Sequence, residues 1–302
     1  MHLIRNCALL LVILSFSFGY HPAHAQSTTA KVTDTTIELP GGSVFYRDAG
    51  GKGIPVVFLH SASGNSMLWE HQIPAFIAAG YRFIAIDYQG VDKSKNTDAS
   101  TLIAELTTKL NLPKFHLLGT AAGGGVALQY ALAHSEQLRS VIICNSNGYI
   151  KDREYSTMAD RIRPPEFNRL PPEVRELGPS YRAANPEGQQ HWLELTNADQ
   201  GSIDGPNKSG KGHRGGGRNG HMDPSSTADL RMVTLNDLNG LKVPLLVMTG
   251  DADLYTPPSL LRVLSSRLKR VESAVIPESG HSSYWENPGV FNRTVLAFIS
   301  KY

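Results

Sequence analysis

Cysteine is scarce: Cys7 and Cys144 are the two in 302 residues, too few for a disulfide framework. A bias of charge is missing as well. Lys and Arg total 29 against 27 Asp and Glu, a net +2 that drops to +1 if Arg5 leaves with a leader. Such a surface has no electrostatic footprint for nucleic acid or anionic lipid. Past residue 20 there is no further long hydrophobic run, and no internal repeat of useful length is visible. What is present is apolar material: 41% of residues are hydrophobic, which supports a deep core and excludes global disorder. The length suits one large domain, or one with a sizeable insertion. These totals point to a protein that handles a small molecule.

The N-terminus reads as a secretory signal. His2 and Arg5 form a short basic start, an apolar run covers 7–20, and an Ala-x-Ala pattern ends at Ala25. That run of fourteen residues is short of the roughly 20 needed to cross a bilayer. Cleavage after Ala25 gives a mature chain beginning at Gln26, secreted or periplasmic and without membrane attachment once the signal is gone. Cys144 is then alone in an apolar strand, where a buried thiol is chemically inert.

Short apolar runs bounded by Gly, Pro and polar turns predict buried strands over 36–39, 44–47, 55–60, 82–87, 115–118, 140–145, 244–249 and 273–277. Helical patterns fall over 99–110, 123–134, 258–268 and 288–301. Strands that alternate with helices call for an α/β fold, a mostly parallel eight-stranded sheet covered on both faces, its first two strands a hairpin at one edge. The alternation stops over 149–238, where Pro164-Pro165, Pro171-Pro172, Pro179 and Pro186 permit short helices at best. This stretch reads as a cap inserted between core segments 26–148 and 239–302, and 201–224 within it as a mobile loop. Two motifs in that loop are decoys. Gly205-x4-Gly210-Lys211 imitates a phosphate-binding loop, but Gly212 stands where a Ser or Thr would hold magnesium, and no strand or helix flanks it. His213, His221 and Asp223 lack fixed geometry for a metal. No feature calls for a cofactor or metal.

The most informative segment is Gly119-Thr-Ala-Ala-Gly-Gly-Gly125, in which a strand runs through small residues directly into a helix. It resembles the nucleophile elbow of the α/β-hydrolase superfamily, with Gly119, Gly123 and Gly124 at the small positions. Three further pieces resemble that family in chain order. His60-Ser-Ala-Ser-Gly64 matches its oxyanion loop, Gly250-Asp-Ala-Asp253 its acid turn, and Gly280-His281 its catalytic histidine. Asp87-x-x-Gly90-x-x-x-Ser94 also resembles its turn after the fourth strand. The resemblance covers 36–302 apart from the cap. It implies His281 as the proton-handling base, Asp253 as its partner with Asp251 the rival on the same turn, and His60 as a residue shaping the oxyanion loop.

One position departs from the pattern. Ala121 occupies the nucleophile site, and a methyl group cannot attack a carbonyl. Nearby hydroxyls are poor substitutes: Thr120 precedes the tip and points away, while Ser61 and Ser63 sit on the oxyanion loop. The amides of Ala122 and Ser61 remain as expected oxyanion donors. In one protease stripped of its triad, such residual machinery still gave roughly 10³–10⁴-fold catalysis over water. Aminoacrylate/carbamate hydrolases resemble this chain in placing Ala at the elbow. Hydroxynitrile lyases and cofactor-free dioxygenases run non-hydrolytic chemistry with the same His–Asp pair. Three readings follow: an exported enzyme hydrolysing a small ester, lactone, amide or carbamate by general base; a lyase, decarboxylase or cofactor-free oxygenase; or a binding protein. Elsewhere His116 reads as packed in its strand and His71, His134 and His191 as surface groups. Trp69, Trp192, Tyr255, Tyr284 and Trp285 are open to either pocket lining or core packing.

Overall fold

The structure is a computed structural model and describes residues 31–88, 98–163, 165–197 and 232–302. The leader at 1–25 and the Gly-rich stretch at 201–224, with His213, His221 and Asp223, lie outside the described residues, as do Gly90 and Ser94. No helix among the described residues is long and apolar enough to cross a membrane.

The chain opens with β1 (Thr33–Leu39), β2 (Gly42–Gly50) and β3 (Pro55–Leu59), then α1 (Ile73–Ala78), β4 (Arg82–Asp87), α2 (Ala99–Lys109), β5 (Phe115–Thr120), α3 (Ala122–Ala133) and β6 (Leu138–Cys144). An excursion carries α4 (Arg153–Ile162), α5 (Pro172–Glu176), α6 (Pro179–Ala184), α7 (Pro186–Asn197) and α8 (Leu235–Asn239). The chain closes with β7 (Leu245–Gly250), α9 (Pro258–Arg267), β8 (Val271–Ile276), α10 (Ser283–Glu286) and α11 (Pro288–Ile299).

Among the described residues the strands form one eight-stranded sheet in the order β1-β2-β4-β3-β5-β6-β7-β8. The β1–β2 and β2–β4 pairs are antiparallel and every later pair is parallel. Because side chains alternate across a strand, the central apolar runs feed two cores at once. Val57, Leu59, Leu117, Val141, Ile143 and Val247 enter one, with Leu102, Leu106 and Leu128 of α2 and α3 and Leu260 and Leu264 of α9. Val56, Phe58, Leu118, Ile142, Cys144 and Met248 enter the other, with Phe76 of α1 and Phe291 and Val295 of α11. Trp69, Trp192, Tyr284 and Trp285 belong to that second core and are at most 1% exposed, so packing accounts for them. Trp69 and Tyr284 meet with ring centroids 4.6 Å apart. Burial of each such ring is worth roughly 1.5–3 kcal/mol.

Helix starts follow local chemistry. The Asp98 carboxylate accepts from Thr101 N (2.7 Å) and opens α2, and Asp152 accepts from Tyr155 N (2.9 Å) and opens α4. Pro258 is the first residue of α9, where its missing N–H costs nothing. The prolines over 149–238 do not limit the segment to short helices, as the sequence suggests. Pro171-Pro172, Pro179 and Pro186 sit at helix starts, and α4 and α7 run to 10 and 12 residues. The excursion leaves and returns side by side: Ile150 bridges Val233, Lys151 N donates to Val233 O (2.7 Å), and Val233 N donates to Tyr149 O (2.9 Å).

Candidate active site

The elbow forms because β5 and α3 are joined by one residue. A Cβ on Gly119 would lie 2.1 Å from Gly123 O, and one on Gly123 would lie 2.5 Å from both Leu59 O and His60 O. Glycine at these positions lets α3 press against the end of β3. Between strand and helix, Ala121 is held at φ 49°, ψ −116°. For a residue with a side chain this costs about 1–3 kcal/mol, borne by surrounding contacts. Those contacts are visible: Ala121 N donates to Cys144 O (3.0 Å), and Ala121 O accepts from Ser146 Oγ (2.6 Å). Ala122 begins α3, so its N–H belongs to the first turn, which lacks intrahelical partners. Thr120 is buried in the strand.

The loop after β3 is equally fixed. His60 is buried; its ring donates from Nδ1 to Ser61 O (2.7 Å) and stacks on Tyr88 at 4.7 Å, while Tyr88 Oη donates to His60 O (2.8 Å). Gly64 N donates back to Ser61 O (3.1 Å), and the hydroxyls of Ser61 and Ser63 lie 3.2 Å apart.

On the other side of the sheet's C-terminal edge, His281 Nδ1 lies 3.0 Å from both Asp253 oxygens. Asp253 Oδ1 also accepts from Tyr255 N (2.7 Å) and Thr256 N (3.0 Å). Its Oδ2 accepts from Asn145 Nδ2 (3.0 Å) and Thr256 Oγ1 (2.7 Å). Burial pushes this carboxyl up, yet the His281 imidazole and these donors outweigh it and hold Asp253 well below the usual carboxylate range. The His281 imidazole answers in kind. Burial pulls it down, but the Asp253 and Glu176 carboxylates raise it above its ordinary value. Asp251 faces away from the pair. It accepts from Glu278 N (2.9 Å) and Ser279 N (3.1 Å), clamping the loop that carries His281.

Asn145 ties the two halves together. It follows β6 directly and adjoins Cys144 and Ser146, which hold Ala121. Its Nδ2 donates to Asp253 and to Gly280 O (3.1 Å), and its Oδ1 accepts from Ser283 Oγ (2.6 Å). The sequence reading missed Asn145 as a site residue, although a polar side chain at the C-terminal end of a buried parallel strand was the available signal. Two buried or half-buried carboxylates carried no sequence signal. Glu286 accepts from Gly280 N (2.8 Å), Ser282 N (3.2 Å) and Gly178 N (2.6 Å), and burial pushes it up to about 7. Glu176, at the end of α5, has its carboxyl raised by burial against the opposing pull of His281 and Tyr255, and the Tyr255 ring lies 4.2 Å from that of His281.

The remaining candidates lie apart from this cluster. His116 is buried with Nδ1 2.8 Å from Ser140 Oγ, and burial lowers it to about 4. His71 and His191 flank Trp285 on the surface, His191 pairing with Glu70 at 3.0 Å. Cys144 is buried and its thiol pushed up to about 12, which keeps it protonated at neutral pH. A cleft of about 450 Å³ opens on the outer side of the acid turn between Leu177, Arg182 and Leu254; neither His281 nor Ala121 lines it. Among the described residues no group of three or more His, Cys, Asp or Glu is arranged to hold a metal ion.

The sheet order, the strained turn between β5 and α3, and the positions of acid and histidine after β7 and β8 define an α/β-hydrolase fold. The family model for that fold matches residues 54–288, and the chain belongs to this family. It is 27% identical over 271 residues to BpoC of Mycobacterium tuberculosis, named as a non-heme bromoperoxidase, covering 84% of this chain and 96% of that one. It is 25% identical over 296 residues to a 2-hydroxy-6-oxononadienedioate/2-hydroxy-6-oxononatrienedioate hydrolase of Burkholderia vietnamiensis, covering 92% and 98%. Among solved structures, an esterase of Thermogutta terrifontis superposes with a TM-score of 0.66 at 18% identity, covering 89% of this chain and 98% of that one.

Proposed function

We propose that this chain is an exported enzyme that hydrolyses a small ester, lactone, amide or carbamate without a covalent acyl intermediate. His281, held by Asp253, takes a proton from water; the resulting hydroxide attacks the carbonyl carbon; the amides of Ala122 and Ser61 receive the developing oxyanion. The observation that carries this reading is the contrast at one edge of the sheet. The His281–Asp253 pair is buried and the Asp253 carboxylate is fully hydrogen-bonded, while Ala121 keeps a costly backbone turn with no reactive atom on it. Relatives named as a hydrolase and an esterase support hydrolysis on this scaffold. Export rests on the leader-like residues 1–25, and no cofactor or metal enters the scheme.

The test is a hydrolysis screen of small esters, lactones, amides and carbamates on the mature chain and on His281→Ala. Turnover in the wild type should fall by about 10²–10⁴-fold in the variant. Because the imidazole must be neutral to act, and it is raised in the folded protein, the acidic limb of kcat/KM should fall above the ordinary histidine range. A wild type inert toward every class, yet binding a small ligand with an affinity that survives His281→Ala, favours the binding-protein reading that the missing nucleophile invites. Turnover without net hydrolysis favours a lyase, decarboxylase or oxygenase.

A further inference from the structure

The excursion between β6 and β7 brings a second carboxyl group to the base. Glu176 ends α5, and its backbone is bolted to the histidine loop: Glu176 O accepts from Ser282 N (3.0 Å), the residue next to His281. Its side chain is half-buried beside Tyr255, whose hydroxyl accepts from Arg175 Nη1 (3.2 Å). The Tyr255 ring leans over the His281 imidazole at 4.2 Å and 36°. Glu176 is thus docked on the histidine loop by its main chain, and its carboxyl and the Tyr255 ring both neighbour the imidazole. We propose that Glu176 is the general acid of the reaction proposed above, and that the substrate is one whose leaving group needs a proton, an alkyl ester, amide or carbamate.

The proposal rests on the general-base reading and completes its proton balance. As water attacks, its O–H bond breaks toward His281 Nε2 and its oxygen bonds the carbonyl carbon, whose π pair moves to the oxyanion. When the tetrahedral intermediate collapses, the bond to the leaving atom breaks and that atom takes the Glu176 proton. Imidazolium and carboxylate remain, and one proton transfer from His281 to Glu176 restores the start. The sum is substrate plus water giving acid plus alcohol or amine. An enzyme with a serine nucleophile can recycle a single histidine as base and then acid across two half-reactions. Without the acyl intermediate both protons must be handled in one addition–elimination sequence, and a second group relieves that demand.

The groups facing Glu176 are His281, Tyr255, Arg175, Asp253 and Tyr284. Burial raises its carboxyl, against the opposing pull of His281, Tyr255 and Arg175. His281 is raised as well, partly by Glu176, so the two share one proton across a range of pH and titrate as a pair. Tyr255 is pushed further up by burial and by Glu176, which leaves it as a neighbour of the carboxyl rather than a donor to substrate.

The experiment compares wild type, Glu176→Gln and Tyr255→Phe on p-nitrophenyl acetate, phenyl acetate, ethyl acetate and acetanilide, with circular dichroism and melting to establish folding. Glu176→Gln should lose little on the nitrophenyl ester and about 10²-fold or more on ethyl acetate and acetanilide. Tyr255→Phe keeps the acid but removes the neighbouring hydroxyl that lowers it, and should move the alkaline limb of the pH profile upward. NMR titration of the His281 ring should show a lower pKa in Glu176→Gln. An equal loss on all four substrates, or an unmoved His281 titration, overturns the acid role and leaves the base intact. A wild type that hydrolyses no ester, lactone, amide or carbamate overturns the hydrolytic reading and the acid with it.

Discussion

The two halves of the candidate site are built by opposite means. At the elbow, order resides in the backbone: one residue at an unfavourable φ, close-approaching glycines beneath it, and main-chain hydrogen bonds to Cys144 O and from Ser146 Oγ. At the acid turn, order resides in side chains, with Asp253 receiving the imidazole, two amides, a carboxamide and two hydroxyls. Replacing a side chain can therefore empty the first half without disturbing its shape, whereas the second cannot lose a side chain and keep its geometry. Ala121 is the case in point. The strained turn carries only a methyl group, and its shape rests on backbone contacts.

The sharpest way to break this comparison is to refill the empty half. Ala121→Ser places a hydroxyl on the same strained turn, and a fluorophosphonate probe should go from no labelling of the wild type to stoichiometric labelling of the variant. Failure to label a folded variant means that His281 does not address the elbow. Labelling of the wild type would reveal a nucleophile that the elbow does not contain.

Next in size is the seam. Asn145→Ala strips donors from Asp253 and Gly280 O and the acceptor from Ser283, and puts Ala at φ 50°. The expected cost is about 2–4 kcal/mol in chemical denaturation. A cost below about 1 kcal/mol would mean the halves do not depend on this residue.

The last comparison separates two carboxylates by sign. Asp253 is held below the usual range, so its contribution to stability is present above a pH of about 3.8 and is lost on acidification. Glu286 is raised from 4.5 to about 7, so its contribution is full below about 4.5 and is lost as the pH rises through about 7. Urea unfolding of wild type and Glu286→Gln at pH 4.5 and 7.5 should show the wild type losing on the order of 3 kcal/mol relative to the variant across that interval. Parallel pH dependences would contradict the carboxyl's raised state.

The same division explains what could be read from the sequence. Strands β3, β5, β6 and β7 are buried on both faces and appear as unbroken apolar runs, so their number and order were legible, and so was the elbow, whose glycines are required by close approach. The edge strand β8 was read too short because half its residues face solvent and dilute the apolar signal. The helix α7 is hidden by a proline that opens it rather than breaks it, and α4 by the proline-rich stretch around it. The Gly-x-x-Asp spacing favours Asp253 over Asp251 although both lie on one turn, and the direction of each side chain separates the imidazole's partner from the loop's clamp. Glu176 lies far along the chain from the histidine it neighbours, Glu286 also reaches across to Gly178, and no local pattern marks a carboxylate whose meaning comes from burial.

The bridge between Ile150 and Val233 has an engineering consequence. Since the polypeptide exits and re-enters at adjacent points, everything between them is a cassette that can be exchanged without re-threading the sheet. Any transplanted replacement would need to reproduce two docking bonds, a carbonyl for Ser282 N and an amide for Glu286, to leave the imidazole where it stands.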